Sequence, residues 1–591
     1  MRFLLTITFL ISCVAFAQDD ILAKEYFKKG EFEKALSSFQ RLHDANPGNV
    51  SYLVQLVKTH QQLEQYDESE SLILNQLKRI NYPSLYVELG YNYQLKDDIT
   101  NANINYNKAL ESLNINARYV FSVAQSFVDH SLLDLAITAY ENAMTLAPDL
   151  NFDMQLAQIY GEQGDIEKMF TAYVQFVKFN PSYLNNIKRV ISDFISENST
   201  NENNATLRKI LLKKIQEEPD LLWNEMLSWL FIQQKDFRKA FMQEKAIFNR
   251  QPESLDRIEE LASIAVNENE NEIANEIFHY LIDTAQDIDT KLDAHYNLLQ
   301  LELTYGHEVD YNNIQQKFLT LFDEYGKFSQ TLQLQIAYGH FLAFYMNEPD
   351  KATSFLKETL LLQLSTFQQA QVKIELGDIL VLQEKFNEAL IYYTQIQRNL
   401  KNSTISQDAR FRVAKTSYYK GDFQWAESQL KILKSSTSQL IANDALDLKL
   451  LISDNKYDDS LQVALKLYAK ADLLAFQNKN DEAIVLLDKI LEEHKTETII
   501  PQALLKQAQL FVKKQEFEKA DNNYNNIIKN YSDSILIDDA IFSLAELYAN
   551  KLDQPEKAKE LYEQIIFNHA DSIYFVDSRK SFRALRGDAI N

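Results

Sequence analysis

The sequence predicts an all-α chain that is built as an array of short helical repeats. Its 591 residues are too many for one hydrophobic core. With only 11 glycines and 9 prolines, the chain has little material for hairpin turns, phosphate-binding loops or flexible linkers. Small residues recur about every 34 residues among large apolar ones, and this period is typical of stacked pairs of helices.

The first third of the chain contains the clearest copies of this pattern. Each copy has one anchor position, usually a small residue, and successive anchors are 34, 33, 34 and 33 residues apart. The anchors are Ala35, Ser69, Ala102, Ala136 and Met169. A small residue lets two helix axes approach, while large residues such as Tyr106 and Tyr140 fill the space towards the next repeat.

In this pattern the chain resembles the tetratricopeptide repeat (TPR). There, the first helix offers a small residue against which the second helix, itself carrying an alanine, packs closely. The resemblance implies a TPR-like α-solenoid superhelix with a concave groove lined by the first helices. Further copies extend it over most of the chain, with anchors at Ala240, Ala274, Ala352, Ala389, Ala426, Ala483, Ala520 and Ala558.

Anchor spacing differs between the two halves of the chain. In the second half most neighbouring anchors are 37 or 38 residues apart, which predicts longer helices or added turn residues and a change of curvature. The intervals 169–240 and 274–352 are each long enough for one additional, diverged helix pair. We therefore divide the chain into a signal peptide (1–17), an N-terminal array (18–195), a hinge with diverged repeats (196–330), a C-terminal array (331–573) and a capping helix with tail (574–591).

The N-terminal residues have the order of a secretory signal peptide. A positively charged start precedes the apolar stretch Phe3 to Val14, and Ala15-Phe16-Ala17 forms an A-x-A cleavage site. Cleavage there makes Gln18 the first residue and leaves no cysteine for disulfides, thiolate catalysis or metal binding. We expect an exported protein of the periplasm or outer membrane, without a transmembrane span in the mature chain.

An alternative processing route involves Cys13. Leu10-Ile11-Ser12-Cys13 resembles the lipobox of bacterial lipoproteins, in which the cysteine becomes an acylated membrane anchor. The apolar residues that follow Cys13 count against this route. Peripheral membrane association stays open.

Composition and motifs argue against nucleic-acid binding and catalysis. A formal net charge of −24 disfavours a phosphate-binding surface. No two of the nine histidines have the spacing of a helical metal motif. The sequence also contains no nucleophile-elbow motif and no glycine-rich phosphate-loop motif. We predict a protein that is not an enzyme and has no cofactor and no metal. We assign Gly164 to a turn between repeat helices.

Three polar segments have local interpretations. Ser196 to Asn204 reads as a loop or hinge. Glu268 to Glu272 lies where a first helix turns into a second one, so a solvated turn is favoured over a metal site. Asp577 to Leu585 predicts a capping helix with Arg579 and Lys580 on it, and an anionic docking patch is the alternative.

The function implied by the resemblance is the binding of other proteins or peptides in the concave groove, and we expect these partners to be envelope proteins. Residues 381–454 also resemble the repeats of envelope assembly proteins. The groove-facing candidates of the N-terminal array are Tyr91, Gln94, Phe121, Gln125, Met154 and Gln158. The alternative is a glycan- or nutrient-binding surface lipoprotein that partners an outer-membrane importer. The scarcity of glycine and tryptophan disfavours the long loops that such proteins use.

A second candidate site lies in the C-terminal array. Phe411, Lys415 and Tyr418 stand at i, i+4 and i+7 on one helix face, with Tyr419 beside them. Ala414 on the adjoining face is expected to meet the partner helix, which leaves the row facing the groove as an anchor for an acidic or aromatic segment. Packing of these aromatic rings between neighbouring repeats is the alternative.

Overall fold

The computed structural model describes residues 19–80, 82–305, 309–433, 438–456 and 461–588. These residues form helices joined by short turns and loops, with no strand among them, so the predicted all-α, TPR-like array of helix pairs is confirmed. The predicted signal peptide and Cys13 lie outside the described residues. The chain divides into two compact units, Met1–Ser254 and Leu255–Asn591, which we describe separately.

In unit 1, the odd-numbered helix is the first and the even-numbered helix the second of each repeat. The helices are α1 (19–28), α2 (Phe32–Ala45), α3 (Val50–Gln62), α4 (Tyr66–Leu77), α5 (Ser84–Leu95), α6 (Ile99–Glu111), α7 (Val120–Asp129), α8 (Leu133–Leu146), α9 (Asp153–Glu162), α10 (Ile166–Phe179), α11 (Leu184–Ser192), α12 (Glu202–Glu217), α13 (Leu221–Gln233) and α14 (Phe237–Arg250).

In unit 2, the same alternation is interrupted once, by the single helix α25. The helices are α15 (Asp256–Asn267), α16 (Asn271–Thr284), α17 (Ile288–Tyr305), α18 (Tyr311–Tyr325), α19 (Leu332–Phe344), α20 (Pro349–Thr359), α21 (Thr366–Leu382), α22 (Phe386–Asn399), α23 (Thr404–Tyr419), α24 (Phe423–Leu433), α25 (Gln439–Asn455), α26 (Val463–Phe476), α27 (Asn480–Glu493), α28 (Ile500–Lys513), α29 (Phe517–Asn530), α30 (Ile537–Asn550), α31 (Pro555–Asn568) and α32 (Phe575–Arg586).

One turn geometry joins the two helices of nearly every repeat. The residue five positions before each anchor has a positive φ, and the next amide donates back to the end of the first helix, as Asp98 N does to Tyr93 O at 2.9 Å. These left-handed residues are Gly30, Glu64, Asp97, Ser131, Gly164, Lys235, Asn269, Asn347, Glu384, Gly421, Asn478, Gln515 and Asp553. The predicted turns at Gly164 and at Glu268 to Glu272 are confirmed.

The anchors account for the close packing within repeats. All thirteen anchors named from the sequence are buried. At the facing position of the first helix, a Cβ added to Gly90 would lie 2.4 Å from the ring of Tyr106, and one added to Gly377 would lie 2.4 Å from the ring of Tyr393. The tyrosine of the second helix therefore packs directly on the backbone of the first.

Both long intervals between anchors contain the helix pair that they predict. The first holds α11 and α12. The predicted polar loop lies between them but ends at Asn201, because residues 202–204 already belong to α12. The buried Asn204 of α12 closes this loop, because its side-chain amide donates to Ser196 O at 2.7 Å and to Asn198 O at 2.9 Å. The second interval holds α17 and α18, whose anchor position is occupied by Ile314 in place of a small residue.

The C-terminal end carries the predicted helix. α32 covers Asp577 to Leu585 and ends at Gly587, which has a φ of 81°. None of the described helices is sufficiently long and apolar to cross a lipid bilayer.

Candidate partner-binding surfaces

The first helices α17, α19, α21 and α23 together line a cavity of about 710 Å³ in unit 2. Five amide side chains and two tyrosines, Tyr296 and Tyr345, are part of its wall. The amides belong to Gln300, Gln330, Gln333, Gln368 and Gln371. Each amide both donates and accepts hydrogen bonds, which suits the backbone of an extended peptide.

Local sequence fixes the positions of these glutamines. Gln368 and Gln371 are three residues apart and so lie on one face at the start of α21. Ser365 caps this helix, since its hydroxyl accepts from Gln368 N at 3.2 Å while Ser365 N donates to the Gln368 side chain at 2.9 Å. Gln330 and Gln333 have the same spacing, with Gln330 in the turn just before α19 and Gln333 in its first turn.

The charged groups of the cavity are mostly carboxylates. Glu375 lies 2.9 Å from Nδ1 of His340, whose ring stacks on Phe344 with centroids 4.4 Å apart. Asp408 accepts from Nε of Arg412 at 3.2 Å. The cavity therefore favours a cationic group on whatever it binds.

Behind the cavity, an ionic contact links α21 to α23. Arg412 pairs with Asp378, which also accepts from the Tyr393 hydroxyl at 2.6 Å. Burial raises the pKa of Asp378 to about 6, although the guanidinium of Arg412 opposes this shift. The contact holds two of the four first helices in register.

The groove candidates of unit 1 divide by exposure. Phe121 is 60% exposed and packs edge-on against Phe152, while Gln125 and Gln158 are also exposed. Met154 is half-buried. These four side chains are accessible on first helices, and their role in partner binding stays a prediction.

The other two unit 1 candidates are engaged within the fold. Gln94 accepts a hydrogen bond from the Tyr106 hydroxyl at 2.8 Å, so it points to the second helix of its own repeat. The half-buried Tyr91 stacks on His130 with centroids 3.9 Å apart. Its ring thereby covers the buried contact between His130 and Glu88, which is 2.9 Å long.

The expectation that the row Phe411, Lys415 and Tyr418 faces the groove is wrong for Tyr418. Tyr418 is completely buried and Tyr419 is nearly so, while Phe411 and Lys415 are half-buried. The alternative of packing between repeats describes the two tyrosines correctly. The reason is α26, which packs directly on α23 and brings Phe476 to 6.3 Å from the Tyr419 ring.

The cavity at α17 to α23 was not found from the sequence. A signal was available, because pairs of glutamines three residues apart lie at or just before the start of two successive first helices. The sequence analysis named glutamines as groove candidates in the N-terminal array only.

Two sequence models, both describing the tetratricopeptide repeat, match the chain. One matches residues 502–534 and 539–572, and the other matches residues 154–183. The chain contains tetratricopeptide repeats. The matched segments coincide with the pairs α28–α29, α30–α31 and α9–α10. Because TPR arrays present extended surfaces to other proteins, these repeats support a protein-interaction scaffold.

The remaining comparisons add little to this assignment. A chain in the structure of Naa15/Naa10 bound to HypK-THB is 12% identical, with 97% of this chain and 97% of that chain covered and a TM-score of 0.31. No curated protein matches the sequence.

Proposed function

We propose that this protein is a non-catalytic scaffold or adaptor that holds a partner protein or peptide on the first-helix face of unit 2. The observation that carries the proposal is the cavity lined by α17, α19, α21 and α23, with five glutamine amides and two tyrosines converging on it. A surface positioned by rigid helices loses little conformational entropy when a peptide binds.

The binding mode follows from these side chains. Amides pair with the main chain of an extended segment without regard to its side chains, whereas the tyrosines provide stacking area. Glu375 and Asp408 favour a lysine or arginine in that segment. The preferred occupant is thus an extended peptide with a basic residue.

We place this function in the cell envelope. The support is the signal-peptide pattern of residues 1–17, which also makes envelope proteins the partners to test first. Mass measurement of protein from the native host distinguishes cleavage before Gln18 from acylation of Cys13.

Site-specific photocrosslinking tests the proposed surface. A benzophenone amino acid replaces Gln333, which is exposed in the cavity, and Gln424 on the second helix α24 provides the matched exposed control. We expect defined protein adducts from position 333 only. Equal adducts at both positions, or none at 333, contradict the proposal, and binding of a glycan without protein adducts favours the importer-partner alternative.

A further inference from the structure

A second cavity of unit 2 lies on the other side of α17 and has a volume of about 1070 Å³. It is lined by α16, α17 and α18 and is therefore distinct from the amide-lined cavity. Its floor is apolar and contains leucine side chains from α17 and α18. The apolar lining residues used below are Ile282, Leu298, Leu299, Leu301, Tyr305 and Leu321.

At two positions where most other repeats carry a small residue, the repeat of α17 and α18 carries larger ones. Twelve positions before the anchor, where α5 has Gly90 and α21 has Gly377, α17 has Glu302. The anchor itself is Ile314. Two larger side chains at the contact prevent the close approach of α17 and α18.

Each of the two helices is instead held by its other neighbour. α17 packs along α16, whereas α18 packs on α19 through aromatic rings, with Phe318 and Phe322 lying 5.3 and 5.6 Å from Tyr338. An ion pair links α17 to α18, with Nζ of Lys317 2.5 Å from a carboxylate oxygen of Glu302. As a result, an apolar groove remains between α17 and α18.

Charge around this groove is unbalanced. Its described lining includes the carboxylates of Glu272, Glu302 and Glu324 but one lysine, Lys317, which is already paired with Glu302. Glu272 and Glu324 are exposed, on α16 and α18 respectively. The floor therefore suits leucine-like side chains, and the rim suits cations on both sides of them.

We infer that the groove between α16 and α18 is a second docking surface, which receives an amphipathic helix with an apolar stripe flanked by lysine or arginine. A helix supplies such a stripe at i, i+3, i+4 and i+7, and laying it in an apolar groove is a recurring mode of recognition. This surface is independent of the peptide site on the opposite side of α17.

The test uses the full mature chain and a fluorescein-labelled 18-residue leucine/lysine peptide with helical spacing of its leucines. Fluorescence anisotropy gives its Kd for the wild type, Leu298→Lys and Tyr305→Ala. The matched control is Leu319→Lys, because Leu319 is exposed on α18 outside the cavity. Circular dichroism checks that each variant keeps its helix content and melting temperature, and Tyr305, which is 44% exposed, provides a mild second change.

We expect Leu298→Lys to weaken peptide binding at least tenfold, Tyr305→Ala to weaken it severalfold, and Leu319→Lys to leave it unchanged. A leucine/glutamate peptide and a proline-interrupted leucine/lysine peptide should each bind at least tenfold more weakly. Equal weakening by Leu319→Lys, or equal binding of the proline-interrupted peptide, overturns the inference in favour of a diffuse acidic surface. If a fatty acid binds the cavity and only its binding is lost in Leu298→Lys, the site belongs to a small apolar molecule.

Discussion

Repeats of unit 1 and unit 2 differ mainly in the length of their first helices. In the 33- to 34-residue repeats of unit 1, α5, α7 and α9 have 12, 10 and 10 residues. In the 37-residue repeats of unit 2, α21 and α23 have 17 and 16. The second helices α8, α10 and α22 all have 14. The longer period thus enlarges the first-helix surface, and the amide-lined cavity lies on that surface.

Polar contacts between neighbouring repeats sharpen this comparison. In unit 1, Glu88 on α5 contacts His130, the residue that follows α7. In unit 2, Asp378 on α21 contacts Arg412 on α23. Each contact ties neighbouring first helices together. The unit 2 contact has a permanent cation, because an arginine stays charged at every accessible pH.

The largest expected effect is that of Arg412→Leu. It leaves the Asp378 carboxylate without its counterion, which should cost about 3–5 kcal/mol in the free energy of unfolding of this region. Denaturant unfolding and hydrogen exchange across α21 to α23 measure the loss. The double variant Arg412→Leu/Asp378→Asn should recover most of it, and a double variant as unstable as the single one contradicts this account.

The loss should also depend on pH. Burial already raises the pKa of Asp378 to about 6, above its unfolded value of about 3.9, so the folded state binds the proton more tightly. The contribution of Asp378 to stability therefore falls as pH rises from about 4 to 6. Without Arg412 its pKa rises further, so the destabilisation should be larger at pH 8 than at pH 5. A pH-independent loss would show that packing of the arginine stem dominates.

A smaller effect is expected from overpacking one anchor in each unit. Ala136→Leu and Ala520→Leu should each destabilise their repeat by about 1–3 kcal/mol, since both alanines are completely buried between helices. Contacts in repeat arrays are mainly between neighbours, so hydrogen exchange should accelerate near the altered anchor only. Acceleration spread equally around Ala136 and Ala520 in either variant is the contradicting result.

Anchors and turns were predictable because they obey local rules. A close contact between two helices needs a small residue, and the repeat period predicts where the next such residue lies. Ala136 and Ala520 could therefore be identified from the sequence. The packing of α26 on α23 was not predictable in this way. This packing depends on the single helix α25, which shifts the alternation of first and second helices. Because the sequence analysis did not include this shift, it assigned Tyr418 to the groove.

The cavities escaped prediction for a related reason. A missing small residue is visible in the sequence at Glu302 and Ile314, but the space that it leaves depends on how α16 and α19 hold the helices on either side. Only the three-dimensional arrangement shows that Leu298 lies half-buried at a cavity between α17 and α18.

The smallest expected effect concerns the left-handed turns, which are the feature that both units share. Gly164 has a φ of 75° and no atom within 4 Å of an added Cβ, so Gly164→Ala should destabilise only through backbone strain, by about 1 kcal/mol.

The opposite change is available in both units at Glu64 (φ 58°) and Gln515 (φ 63°). Glu64→Gly and Gln515→Gly should each stabilise their repeat by several tenths of a kcal/mol, because the strain relieved slightly exceeds the extra freedom of the unfolded glycine. Local hydrogen exchange measures both, with Glu68→Gly inside α4 as the control that should lose about 1 kcal/mol. If the glycine substitution stabilises one unit and destabilises the other, the turns are not energetically equivalent, although their backbone geometry is the same.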